Sequence, residues 1–281
     1  MQIMQKVYAG TKHKINFTPV KNIIVRSKKA ILFLFSMVLL LSCNTNPEKE
    51  KLHIAVSANM QFAMKELTAA YTSKTGVGCQ LIISSSGKLT AQIKEGAPYD
   101  LFVSADMKYP EDLYKAGFTY DKPEVYAFGR LVMWTLQENI RLFPDTLLST
   151  TIKHIALPNP RTAPYGSAAV RYLQKQRIYE AISNKLVYGE SVAQTNQFIF
   201  SGSAEIGFTA KSVVLSPAIA GKGSWIDIPQ VDHEPIAQGI VVIKNKKQVK
   251  DKALAFRDFI FSEESKLILE KYGYIIKDTE Q

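Results

Sequence analysis

Four short turns carry the residue types that can hold an anion without a counter-charge: Ser57-Ala58-Asn59, Ser84-Ser85-Ser86-Gly87, Ala163-Pro164-Tyr165-Gly166 and Gly189-Glu190-Ser191-Val192. Each stands between a strand-like and a helix-like segment. Free backbone N–H groups at a helix start, together with the positive end of the helix dipole, attract negative charge. A hydroxyl or amide in the same turn adds a donor without adding charge. One such turn is ordinary helix capping, and α/β chains contain several. Four in one chain shift the balance toward a binding site.

The elements that position these turns alternate as in an α/β protein. Strand-like segments fall at residues 52–56, 80–83, 100–104, 129–135, 154–157, 185–188, 205–209 and 236–243. Between them, apolar residues recur at helical spacing. Ala63, Leu67, Ala70 and Tyr71 share a face over residues 59–73, with Asn59 as the expected cap; Leu89 and Ile93 follow Gly87. Ala169, Tyr172 and Leu173 follow Gly166, another helix covers 192–200, and a long one over 249–272 carries Ala253, Phe256, Phe259 and Ile260. Pro158, Pro160 and Pro164 hold an extended loop, because proline fixes φ and restricts the residue before it.

Other chemistries find little support. Gly87-Lys88 suggests a phosphate loop, but Leu89 follows where Ser or Thr is needed, and Ile82 stands where the motif has glycine. Lys88 reads as a solvated helix residue. No Gly-x-Ser-x-Gly elbow exists and no histidine has a partner in sequence, so the chain is expected not to be an enzyme. The two cysteines and the histidines at 53, 154 and 233 lack zinc-ligand spacing; no cation site and no cofactor is expected. Cys79, among apolar neighbours, reads as a small buried residue.

The formal charge of +10 invites a nucleic-acid partner, but seven basic residues and no acidic one lie in residues 1–42, and without them the balance is +3. Nucleic acid is therefore not an expected partner. A basic stretch ending at Lys28-Lys29 is followed by an apolar run over 30–41, then Ser42 and Cys43. The run is shorter than the ~20 residues of a spanning helix and suits a signal peptide. Leu40-Leu41-Ser42-Cys43 resembles a bacterial lipobox, which implies cleavage after residue 42 and a lipid on Cys43. Residues 43–51 then form a polar tether.

Several longer runs resemble the periplasmic molybdate-binding proteins of ABC transporters: residues 92–106 (Gln92 through Gly96-Ala97-Pro98-Tyr99-Asp100 to Asp106), 126–134 (Tyr126-Ala127-Phe128-Gly129-Arg130 to Trp134), 156–166 and Lys271-Tyr272-Gly273-Tyr274. The match runs in order over 52–274. It implies an α/β, two-lobed type II periplasmic-binding-protein fold, each lobe a mixed sheet flanked by helices, with the ligand cleft between them. The lobes would comprise 52–127, 128–233, and 234–281 as the return strand and C-terminal helices of the first. Carried over position by position, the resemblance implies that Asn59 and Ser86 from one lobe, and Tyr165 and the Val192 N–H from the other, hold molybdate or tungstate, with Ala58 and Ser85 as further candidates. Many members have Ser at Asn59, Ala at Tyr165 and Tyr at Ala210; here the tyrosine hydroxyl would come from a different loop. The expected partners are the oxyanion, an ABC permease subunit and, through the lipid, the membrane on its periplasmic side, with the protein a monomer. A receptor for sulfate, phosphate or an organic anion, or a sensor or scaffold lipoprotein of the same fold, is the alternative.

The lipobox generates a direct test. Expressed in a bacterium, the protein is expected to incorporate a fatty-acid probe and partition with membranes, and Cys43→Ala to abolish labelling. Labelling that survives the substitution would refute the anchor.

Overall fold

The computed structural model describes residues 51–245 and 249–276. The expected signal peptide, Cys43 and all of the tether except Lys51 lie outside the described residues. Apolar and β-branched residues build β1 (Leu52–Ser57), β2 (Cys79–Ser84) and β3 (Leu101–Ser104). β1 runs parallel to both β2 and β3. Parallel neighbours require crossovers, supplied by α1 (Gln61–Thr75) and α2 (Ser86–Lys94). After α3 (Lys108–Lys115) comes β4 (Glu124–Gly129), and much later β10 (Ile236–Val242) inserts antiparallel between β3 and β4. The sheet order is β2-β1-β3-β10-β4.

A second sheet follows the same plan, in the order β7-β6-β8-β5-β9. It contains β5 (Leu131–Thr135), β6 (Ile155–Pro158), β7 (Leu186–Gly189), β8 (Ile206–Ala210) and β9 (Ser224–Asp227). β6 is parallel to β7 and β8, while β5 is antiparallel to β8 and β9. Its helices are α4 (Pro164–Lys175), α5 (Tyr179–Ile182), α6 (Val192–Phe200) and α7 (Lys211–Val214). The last two helices, α8 (Lys250–Ile260) and α9 (Glu263–Lys271), return to the first sheet, where Phe256, Ile260 and Leu269 join Leu52, Ile54 and Val56 in one core. The opposite face packs Ala55 and Phe102 against Leu89 and Ile93. Both faces are thus covered, as parallel strands require. The core of the second lobe, around Trp134, Leu157 and Phe208, also takes in Ala58 and Ala105 from the ends of β1 and β3.

The chain crosses between sheets twice, at Arg130 and over residues 228–235. The single strand expected over 129–135 is therefore two: Gly129 pairs with Ile236 in the first sheet and Leu131 with Ala210 in the second. Both halves are buried, so hydrophobicity carries no mark of the change. The C-terminal helix also divides, at Phe261-Ser262. Ser262 Oγ accepts from the Ser265 N–H at 3.3 Å and caps α9, whose first turn holds Glu263 and Glu264. Asn59 does not cap α1: it lies within a 3-10 turn, Ala58–Met60, and α1 starts without a side-chain cap. Neither α3 nor β9 was anticipated. Cys79 is half-buried rather than buried, and burial pushes its thiol up to about 11.

Candidate functional site

β1, β2 and β3 end in register, Ser57 opposite Ser84 and Val56 opposite Val103. Ligands of open α/β sheets bind beyond such carboxyl ends. In the second sheet β6 and β7 also end together, Pro158 opposite Gly189. One cavity lies between these edges. From the first lobe it is lined by Ser57, Ala58 and Asn59 at the end of β1, Ser85 and Ser86 at the start of α2, and Ala105 after β3; from the second by Ala163, Pro164 and Tyr165 at the start of α4, and Val192 at the start of α6. No lining residue carries a charged side chain. The walls leave ≈ 10 Å³ for the centre of a water-sized sphere, about the room that one small group needs. The site has space for a small solute only.

All six residues that the resemblance implies meet at this cavity. Their hydrogen bonds show what each can offer. Ser86, fully buried, has its Oγ 2.5 Å from Ser57 Oγ. The Ala105 N–H donates to both oxygens at 3.1 Å. Two hydroxyls carry two protons; one lies in the bond between them and the other remains to donate. Ser85 Oγ caps α2 by accepting from the Lys88 N–H at 3.4 Å, which leaves its proton free. Asn59 is different. Its amide donates to Gln238 Oε1 at 2.8 Å and Tyr274 Oη at 3.1 Å, so both amide hydrogens are engaged away from a ligand and its contribution falls to the backbone N–H. The Asn59 Oδ1 is buried without a partner. Ser86, Tyr165 and Val192 stand in the first turns of α2, α4 and α6, where N–H groups have no partner within the helix.

Tyr165 reaches from the second lobe into the hinge of the first. Burial, and then the neighbouring Tyr274, raise its phenol well above the ordinary tyrosine range, against a smaller opposing effect of the nearby Asn59 side chain. Tyr274 and Tyr126 are also raised, chiefly by burial. All three therefore stay neutral donors. Tyr165 fits because residue 129 is glycine: a Cβ there would lie 2.1 Å from the Tyr165 hydroxyl and 2.8 Å from Gln238 Nε2.

The rim also joins the lobes. The Gly87 N–H donates to Thr162 O at 2.9 Å and Tyr109 Oη to Arg161 O at 3.1 Å. Lys88, expected to be merely solvated, pairs with Glu190 across the cleft at 2.8 Å, both side chains half-exposed. It is not a wall residue. Near the hinge Ser212 Oγ donates to Asn59 O at 2.7 Å. Sequence reasoning gave no role to Ala105, which acts through its peptide and has no side-chain signal, nor to Gln238 and Tyr274, which lie far along the chain. Among the described residues no group of three or more His, Cys, Asp and Glu could hold a metal ion.

Two lobes of mixed sheet, hinged twice and closed on an uncharged polar cavity, define a solute-binding protein. Residues 52–275 match the family described as bacterial extracellular solute-binding protein, and the chain belongs to it. It is 36% identical to the molybdate-binding protein ModA of Rhodobacter capsulatus over 222 residues, 79% of this chain and 86% of that one. It is 34% identical to ModA of Azotobacter vinelandii over 237 residues, covering 84% and 93%. The solved structure of the Azotobacter vinelandii periplasmic molybdate-binding protein superposes with a TM-score of 0.77 at 30% identity, over 81% of this chain and all of that one.

The tight contact at residue 129 predicts the effect of one methyl group. Tyr165 is almost fully buried and has nowhere to retreat, so Gly129→Ala overpacks the hinge at a cost of about 1–3 kcal/mol. At about 2–4 °C per kcal/mol for a domain of this size, thermal melts should show the midpoint falling by several degrees. An unchanged midpoint would mean that the ring moves freely.

Proposed function

We propose that this protein is the receptor of an ABC importer for molybdate or tungstate, lipid-anchored through Cys43 on the periplasmic side, acting as a monomer and delivering the ion to a membrane permease. One observation carries the reading: a small cavity closed between two lobes, walled by hydroxyls and the starts of three helices, with no charged side chain. Such a wall fits a fully ionised oxyanion. Hydrogen bonds to charged groups are the strong ones, and a dry surrounding strengthens each. The names of the Rhodobacter and Azotobacter relatives agree with it. Selection against sulfate would follow from reach: a smaller anion leaves donors unpaired, at roughly 1–3 kcal/mol each.

Calorimetry of the purified protein with molybdate, tungstate, sulfate and phosphate tests the reading. The first two should bind far more tightly, and a preference for sulfate or phosphate would overturn it. Tyr165→Phe and Ser86→Ala should each weaken molybdate binding about tenfold or more, since a lost bond to a charged group costs roughly 1.5–3 kcal/mol. Wild-type affinity in both would remove these residues from the site.

The pH dependence follows from the raised phenols. Tyr165 keeps its proton above the ordinary tyrosine range, so the donor is lost only at still higher pH. Affinity should be flat from about pH 6.5 to 9, between the usual ranges of His and of Tyr and Lys. Lys88→Met should change it by less than about 1 kcal/mol, the scale of an exposed pair, and less again in high salt. A collapse of binding in that variant would show that a cation holds the ion.

A further inference from the structure

We infer that Gln238, which does not line the cavity, positions the donors of the first lobe and sets the preference for the larger oxyanion; the inference rests on the oxyanion reading above. Gln238 is wholly buried on β10, the strand that brings the chain back through the hinge. The pairing of β10 with β4 shifts register between Gln238 and Gly239, and such an irregularity re-aims a side chain. Here the amide is held at both ends. Its Nε2 donates to Ala105 O at 3.3 Å and Ile236 O at 3.2 Å, while its Oε1 accepts from Asn59 Nδ2 at 2.8 Å. Turned round, Oε1 would face two carbonyl oxygens, so the network permits one orientation. That orientation in turn requires Asn59 to present its N–H, not its carbonyl, toward β10.

The Ala105 peptide carries the constraint onward. Its C=O takes the Gln238 amide, and its N–H donates to Ser57 Oγ and Ser86 Oγ. Three turns of the first lobe, those holding Asn59, the Ser57–Ser86 pair and Ala105, are thus tied to one side chain on the hinge strand. A larger oxyanion reaches all the donors only while these turns keep their spacing. A smaller one misses some in any case and has less to lose. Loosening the tie therefore weakens molybdate binding more than sulfate binding.

Gln238→Met keeps the length of the side chain and removes its donors and acceptor. Gln238→Glu keeps an acceptor toward Asn59 but sets its second oxygen against Ala105 O and Ile236 O, which demands a proton there. The titratable groups around it are the phenols of Tyr126, Tyr165 and Tyr274, kept neutral by burial, and Asp106 beside Ala105, whose carboxyl burial also raises. The full-length protein, purified in detergent, is titrated calorimetrically with molybdate and sulfate and melted in parallel. In the Met variant molybdate should bind about tenfold or more weakly and sulfate change by about threefold or less, the scale of one lost hydrogen bond against none. In the Glu variant molybdate affinity should be near wild type at about pH 6 and fall as pH rises toward about 9, as the buried carboxyl, its pKa raised, loses its proton. Wild type should stay flat.

A Met variant with wild-type melting and unchanged affinities, or an equal loss for both anions, overturns the inference. If the Met variant does not fold, the Glu variant decides, and a flat pH profile there overturns it. Wild-type protein that binds neither molybdate nor tungstate would sink the oxyanion reading itself, a result distinct from either.

Discussion

If the cavity takes the oxyanion proposed for it, it does so without a cation and depends on neutral donors that cannot turn away. An unpaired ion in a dry site costs far more than any one hydrogen bond returns, so the donors must be numerous and already aimed. Helix starts meet that need, because their N–H groups are fixed by the helices behind them. α2, α4 and α6 all begin at the cavity. The two serines are fixed by a different means, through the single Ala105 N–H that both accept.

The same dependence explains why the hinge is polar and buried. Gln238, Asn59, Tyr274 and Ser212 form one hydrogen-bonded group where the two lobes meet. Ser212 belongs to the second lobe and Asn59 to the first, so their bond at 2.7 Å belongs to the lobe arrangement that also shapes the cavity. Low dielectric strengthens each of these bonds, and within the group the Asn59 Oδ1 alone is left without a partner. The rim contributes differently. Lys88 and Glu190 are half-exposed, and such pairs are worth about 0–1 kcal/mol. The buried groups therefore hold the lobe arrangement more than surface charge does.

The narrowness of the cavity has an equally simple origin. Ala58 and Ala105 pack into the core of the second lobe, and Gly87 lets Thr162 approach so closely that a Cβ would sit 3.0 Å from its Cα. The small side chains bring the walls together and keep the cavity narrow.

Most of the strands and helices, though not α3 or β9, and the four turns rich in small polar residues could be read from the chain, because burial periodicity and capping chemistry are local properties. Asn59, Ser86, Tyr165 and Val192, carried over position by position from the family resemblance, all line the cavity. What each residue offers was decided only by the fold. Asn59 looks like a capping amide in sequence, yet its hydrogens go to Gln238 and Tyr274, which lie far away along the chain. Gly129 to Thr135 looks like one strand, since both of its halves are buried, and only the pairing of Gly129 in one sheet and Leu131 in the other reveals the crossing. Hydrogen-bond partners that depend on two sheets meeting leave no periodic trace, so residues that line the cavity were legible in the sequence and the scaffold that holds them was not.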